Sequence, residues 1–273
     1  MNKHFSIKVA LGALALVALA GTASAIHSWG PYHWARTANP FTLKVVDSVT
    51  STWDSYLDTS NTDWTVSSVL DLTKEAGLTG NSERRRCYPV AGKIRACNYT
   101  YGNNGWLGVA QIWITTGSHI AQGAVKLNDT YFGTTKYNTP AWRNLVMCQE
   151  IGHTFGLDHQ DENFGNTPLG TCMDYSSDPV PNQHPNAHDY EQLELIYAHL
   201  DSFTTISSLI GKAGANRAKA DEIRARADEF RASAEEIEEL GKSLKRDSHG
   251  RTSLFERDLG RGEKVFTFVF WAE

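Results

Sequence analysis

The spacing of apolar positions changes along the chain, and each change marks an element. Residues 41–49, FTLKVVDSV, are rich in β-branched side chains and bounded by Pro40 and a Ser/Thr cluster, which predicts a strand. Residues 106–115 alternate around Val109, Ile112 and Ile114, and residues 120–128 form a second strand-like run after a turn at Gly117-Ser118. From 139 to 156 the period lengthens: Trp142, Leu145, Val146, Ile151 and Phe155 recur at helical spacing. Thr139 caps that helix, Pro140 suits its first position, and Gly156 ends it. Residues 189–200 put Tyr190, Leu193, Ile196, Tyr197 and Leu200 on one side of a second helix. Residues 254–271 read as a hairpin around Gly260-Arg261-Gly262, with a strand at 265–271 apolar enough to need a cover. Residues 50–81, with Trp53 and Trp64 in mixed periodicity, assign no element; residues 87–97 enclose Pro89 and Gly92 and suggest a stapled loop or hairpin.

Both ends differ in composition from this middle. Lys3 and Lys8 flank an apolar run over residues 9–20, followed by Ala23-Ser24-Ala25; this is the layout of a cleaved signal peptide at 1–25, too short in its apolar core to span a bilayer. Residues 212–247 hold nine basic and nine acidic side chains, while Ile223, Ala227, Phe230, Ala234 and Ile237 recur at four-three spacing. The expected organisation is therefore a signal peptide (1–25), a main domain (26–205), a charged helical segment (206–248) and a C-terminal β-hairpin (249–273). The charged helix reads as a solvated spacer with one docked face; an alanine-rich coiled-coil seam over 220–244 is the sharper alternative. In that alternative the segment is an oligomerisation or surface-attachment element. Oligomeric state stays open.

Charge narrows the function. The chain carries a net charge of −5, and removal of residues 1–25, with two lysines and no acidic residue, takes it to −7. An acidic surface has no electrostatic basis for binding nucleic acid. Four cysteines in an exported chain suggest two disulfides, and locality favours Cys87 with Cys97 and Cys148 with Cys172. These features predict secretion, to the extracellular or periplasmic space, with no membrane span after cleavage.

Residues 149–159 read QEIGHTFGLDH. Positions four apart on a helix share a face, so residues 149 and 153 address a single point, and Glu150 lies beside them. Gly156 lets the chain leave the helix sharply, so that His159 swings back to the same point. Apart from its first letter this is the H-E-x-x-H-x-x-G-x-x-H zinc motif. Residues 148–160, with Met173-Asp174-Tyr175 after them, resemble the metzincin superfamily of zinc endopeptidases, and the flanking sequence is most similar to secreted, matrixin-like bacterial members.

The resemblance implies an α+β fold: a metzincin-like catalytic domain of twisted mixed sheet, active-site helix, methionine turn and C-terminal helix, here with a helical and β-hairpin extension. It implies Zn2+ as cofactor, His153 and His159 as ligands, Glu150 as general base and Met173 as an apolar floor. Tyr175 corresponds to a tyrosine that some metzincins place near the metal. It further implies a protein or peptide substrate, taken up as an added strand along an edge expected at residues 119–127. Gln149 stands where these enzymes carry the first histidine ligand, and three outcomes are open. Its amide oxygen ligates the metal; or Tyr175, Asp158, Asp161 or His184 replaces it, in that order; or the site is empty and the protein is an inactive, peptide- or partner-binding relative. The acid- and amide-rich segment 158–166 lacks calcium-loop spacing and reads as an ordinary loop. His119, His184, His188 and His199 have no motif support and read as surface residues.

Overall fold

The structure is a computed structural model that describes residues 26–115, 117–208 and 240–273. The expected signal peptide at 1–25 and most of the charged segment, including the expected seam at 223–237, lie outside the described residues. The elements in chain order are β1 (Phe41–Ser48), α1 (Ser51–Trp64), β2 (Leu70–Ala76), α2 (Asn81–Arg86), β3 (Ile94–Tyr99), β4 (Trp106–Ile114), β5 (Ile120–Asn128), α3 (Asp129–Phe132), α4 (Pro140–His153), α5 (Ala187–Ile196), β6 (Lys242–Arg246), β7 (Thr252–Gly260) and β8 (Glu263–Trp271). Among the described residues no helix is long and apolar enough to cross a membrane.

The eight strands of the described residues form one mixed sheet in the order β2-β1-β3-β5-β4-β8-β7-β6. The β2-β1-β3-β5 half is parallel, and every pairing from β5 through β4, β8 and β7 to β6 is antiparallel. The fold is therefore α+β, built on a twisted mixed sheet with α1 and α4 packed together against it. Residues 50–81 contain α1 and β2. The buried positions of α1 (Trp53, Leu57, Ser60, Asn61, Trp64) keep helical spacing, but two of them are polar, which hides the stripe from hydropathy. Trp64 Nε1 donates to the Cys148 carbonyl at 3.1 Å and ties α1 to α4.

α4 starts as its sequence predicts, with the Thr139 hydroxyl accepting from the Trp142 amide and Pro140 in the first turn. It ends at His153, three residues before Gly156. α5 begins at Ala187 because Asn186 and Asp189 form a capping box. It ends at Ile196, so Leu200 is off the helix and exposed, not on its apolar side.

The C-terminal region departs most from expectation. Residues 242–246, expected within the charged helical segment, form β6, and the 249–273 hairpin is completed by it to three strands. These strands are not a separate appendage. β8 pairs along almost all of β4, with Phe268 opposite Ala110. Alternate side chains of a strand face opposite ways: Phe266, Phe268 and Phe270 join the main core, while Val269 and Trp271 pack with Trp106, Val109, Leu240 and Phe255. The expected substrate edge at 119–127 is corrected too. β5 lies inside the sheet between β3 and β4, so its backbone groups are already paired.

Candidate functional site

α4 carries Glu150 against β4, His153 against β8 and Gln149 against the Cys172 carbonyl, and all three are fully buried. Gly156 has φ +110°, and a Cβ there would lie 2.8 Å from the Tyr32 carbonyl oxygen, so the turn out of α4 needs glycine. That turn returns His159 to His153, with ring centroids 4.6 Å apart. The N-terminal segment supports the turn: Trp29 Nε1 donates to the His153 carbonyl and Trp34 Nε1 to the Thr154 carbonyl.

Gln149, His153 and His159 are each oriented by one partner and left with one free atom. His153 Nδ1 donates to the Leu157 carbonyl at 2.8 Å, and His159 Nδ1 to Glu162 Oε1 at 2.9 Å. With the proton on Nδ1, each neutral ring presents Nε2 as a lone pair. Gln149 Nε2 donates to the Cys172 carbonyl at 2.7 Å, which leaves its Oε1 as the free atom. Gln149 Oε1, both Glu150 oxygens, His153 Nε2 and His159 Nε2 are buried and have no hydrogen-bond partner among the described residues. Buried polar atoms are seldom left unpaired, because each loses its interaction with water without replacement. A donor set of two imidazoles and an amide oxygen beside a carboxylate fits a bound divalent cation.

The electrostatics follow from burial. Desolvation pushes the Glu150 carboxyl well above its ordinary range, so the metal-free fold favours the protonated acid. Burial, then the neighbouring His159, hold His153 well below the usual imidazole value. Burial would raise Glu162, but the hydrogen bonds from His159 and Ser253 together with the nearby Lys245 outweigh it and keep that carboxyl lowered.

The other sequence-predicted residues divide clearly. Met173 is buried beneath α4; a Cβ at Gly152 would meet its Sδ at 2.7 Å, so the thioether packs against the helix backbone. Cys148 and Cys172 form a disulfide that joins α4 to this turn, and Cys87 and Cys97 form the second. Tyr175 packs at a tilt against His159 with centroids 4.3 Å apart, but its hydroxyl donates to the Val269 carbonyl of β8 at 2.9 Å. Its pKa is raised well above the ordinary value, chiefly by burial. Of the other candidate replacement ligands, Asp158 is held by the His159 amide and by Lys245. Asp161 accepts from the Asn163 amide, and His184 is half exposed and paired with Asp63.

Several site residues are not recoverable from the motif. Glu162 lies in the segment read as an ordinary loop, and only its three-residue spacing from His159 hinted at a role. Gly108 of β4 admits the glutamate: a Cβ there would lie 2.6 Å from both Glu150 Oε1 and Val146 Cγ1. Phe268 stacks on His153 at 3.9 Å with planes 10° apart, and closes the site from the β8 side. The C-terminal strands also latch the motif loop: Lys245 pairs with Asp158, Ser253 Oγ donates to Glu162 at 3.1 Å, and the Ser248 amide donates to the Glu162 carbonyl.

No known family and no curated protein matches the sequence. Among solved structures, high choriolytic enzyme 1, a hatching enzyme zinc-protease from the medaka fish Oryzias latipes, is similar at a TM-score of 0.33 and 12% identity over 61% of this chain and 94% of that chain. A likeness of that size decides nothing about this chain.

Proposed function

We propose that this protein is a secreted zinc-dependent endopeptidase of the metzincin type, with Gln149, His153 and His159 holding the metal and Glu150 as general base. The observation that carries the proposal is the group of unpartnered, buried atoms on these four side chains. Two disulfides among the described residues accord with an oxidising destination.

Bound there, zinc would supply Lewis acidity toward a peptide carbonyl and toward water. Glu150 takes the proton from the attacking water and returns it to the departing amine. Glu162 keeps the His159 ring turned toward the metal, as the Leu157 carbonyl does for His153, and Met173 supports α4 from below. An extended peptide belongs on the outer edge of β4, where main-chain pairing would carry it past the ligands. β8 fills that edge in this structure, with Phe268 over His153, so catalysis requires the C-terminal strands to yield it. Once they do, the Tyr175 hydroxyl is released from Val269 to face the reacting carbonyl.

Zinc analysis of the full chain, with and without His153→Ala and His159→Ala, tests the metal assignment; one ion per chain should depend on the two histidines. No motif-dependent zinc would sink the reading. Gln149→His should raise zinc affinity if the amide oxygen occupies a ligand position, and leave it unchanged if another residue does. Hydrolysis of an unstructured protein by the Phe268→Ala chain, lost on adding Glu150→Gln, supports a peptidase. Zinc bound with no hydrolysis in that chain would leave a metal-binding relative without activity.

A further inference from the structure

A second histidine cluster lies outside the motif. His33 Nε2, His119 Nε2 and Asp201 Oδ1 all fall within 4.8 Å of one another. His119 Nε2 is 3.1 Å and His33 Nε2 3.5 Å from Asp201 Oδ1. His199 joins them, with its Nε2 3.1 Å from His33 Nε2 and 3.9 Å from Asp201 Oδ1. Ligand atoms bound about 2.0–2.1 Å from a tetrahedral ion sit about 3.3 Å from one another. The separations here straddle that value.

The cluster is held in place by its surroundings. His33 and His119 form a parallel backbone bridge, the Ile120 amide donates to the His33 carbonyl at 2.8 Å, and the His33 amide donates to Ser118 at 3.1 Å. The Asp201 amide donates to the Arg36 carbonyl, while Asp201 Oδ2 accepts from both the Arg36 amide and its guanidinium. One carboxylate oxygen is thus oriented by Arg36, and the other faces the histidines. Arg36 also donates to the His199 carbonyl. His33 Nδ1 donates to the Pro31 carbonyl at 2.9 Å, so its neutral ring directs the Nε2 lone pair into the cluster. The side chains of His33 and Asp201 are nearly buried, and that of His199 is about half exposed, which leaves an entry path.

We propose that His33, His119, His199 and Asp201 bind a divalent transition-metal ion, zinc by the softness and geometry of the donor set. Four protein donors close the coordination sphere, so the ion is structural. It would clamp three segments: the N-terminal strap, the β4–β5 turn and the chain after α5. The strap is the same one whose Trp29 and Trp34 support the turn after α4, and Tyr197 beside His199 donates to the Phe155 carbonyl. The clamp thereby steadies the motif without touching it. His119 and His199, read from the sequence as surface residues, do keep a partly and a half-exposed side chain, and their Nε2 atoms nonetheless meet Asp201 and His33.

The test separates the two candidate ions. The full chain is stripped with chelator and titrated with zinc, following bound metal and melting temperature, alongside His159→Ala and His199→Ala. The His159→Ala chain should still bind one zinc and still melt higher with it. His199→Ala, placed at a half-exposed side chain so that the fold is kept, should weaken that ion by about tenfold or more, since even outer-shell changes cost about 10–100-fold. A folded His159→Ala chain that binds no zinc, or a His199→Ala chain with unchanged affinity for both ions, would overturn the proposal. Loss of the motif ion alone would count against the proposed peptidase site and leave this one standing.

Discussion

The two histidine clusters gather imidazole nitrogens in opposite surroundings. At the motif, the imidazoles are fully desolvated, their Nε2 atoms have no partner, and an aromatic ring from β8 lies over one of them. At His33, His119, His199 and Asp201, the donor atoms already face one another, and His199 opens the group to water. The first suits a site where a coordination position must stay available to substrate; the second suits an ion with every position taken by protein. The difference also shows what access depends on. The motif is closed by a strand far along the chain, whereas the outer cluster, packed by Phe203 against His119, stays open on the side of His199.

The largest expected effect is chemical. Glu150→Gln, measured in a Phe268→Ala chain, should lower kcat/KM by about 10²–10⁴-fold, the range for loss of a positioned acid–base group, with zinc content unchanged. An equal rate in both chains would remove Glu150 from the mechanism. Next comes the closing ring. Phe268→Ala should cost about 3–5 kcal/mol of stability in urea unfolding, as for a buried aromatic. His199→Ala in the zinc-free chain should change stability by less than about 0.5 kcal/mol. Similar costs for both would erase the contrast between a roofed site and an open one.

A smaller effect is expected from the link between α4 and the methionine turn. Replacing Cys148 and Cys172 together by alanine should lower stability by about 2–4 kcal/mol, because the pair closes a loop in the unfolded chain. No change would mean that packing of Met173 under Gly152 holds the turn unaided. The subtlest test is pH. In metal-free protein the fold holds Glu150 protonated where the unfolded chain releases the proton, so folded Glu150 binds more protons and stability falls as pH rises above the ordinary carboxylate range. Glu150→Gln removes that penalty, and its gain in melting temperature over wild type should grow as pH rises above the ordinary carboxylate range. A gain independent of pH would show that water reaches the carboxylate.

Much of the main sheet was legible because its strands and α4 carry strong local patterns. β1, β4 and β5 read as apolar or alternating runs, and Thr139-Pro140 announces the start of α4. The local disulfides were legible for the same reason, since cysteines near one another in sequence pair across short loops. α1 was not, because Ser60 and Asn61 stand on its buried face. β6 was lost within a charged stretch, and its exposed lysines and arginine gave no alternation to read.

The candidate site divides along the same line. Spacing by itself determined that residues 149, 150 and 153 share a helix face and that Gly156 turns His159 back toward them, because helical periodicity and glycine's backbone freedom act over a few residues. It could not determine that β8 runs along β4, that Phe268 lies on His153, or that Gly108 makes room for Glu150. Nor could it gather His33, His119, His199 and Asp201, which are distant in the chain and follow no period. Those contacts arise only when sheet pairing and core packing bring remote segments together, and pairing between strands is encoded in mutual fit, not in any one stretch of residues.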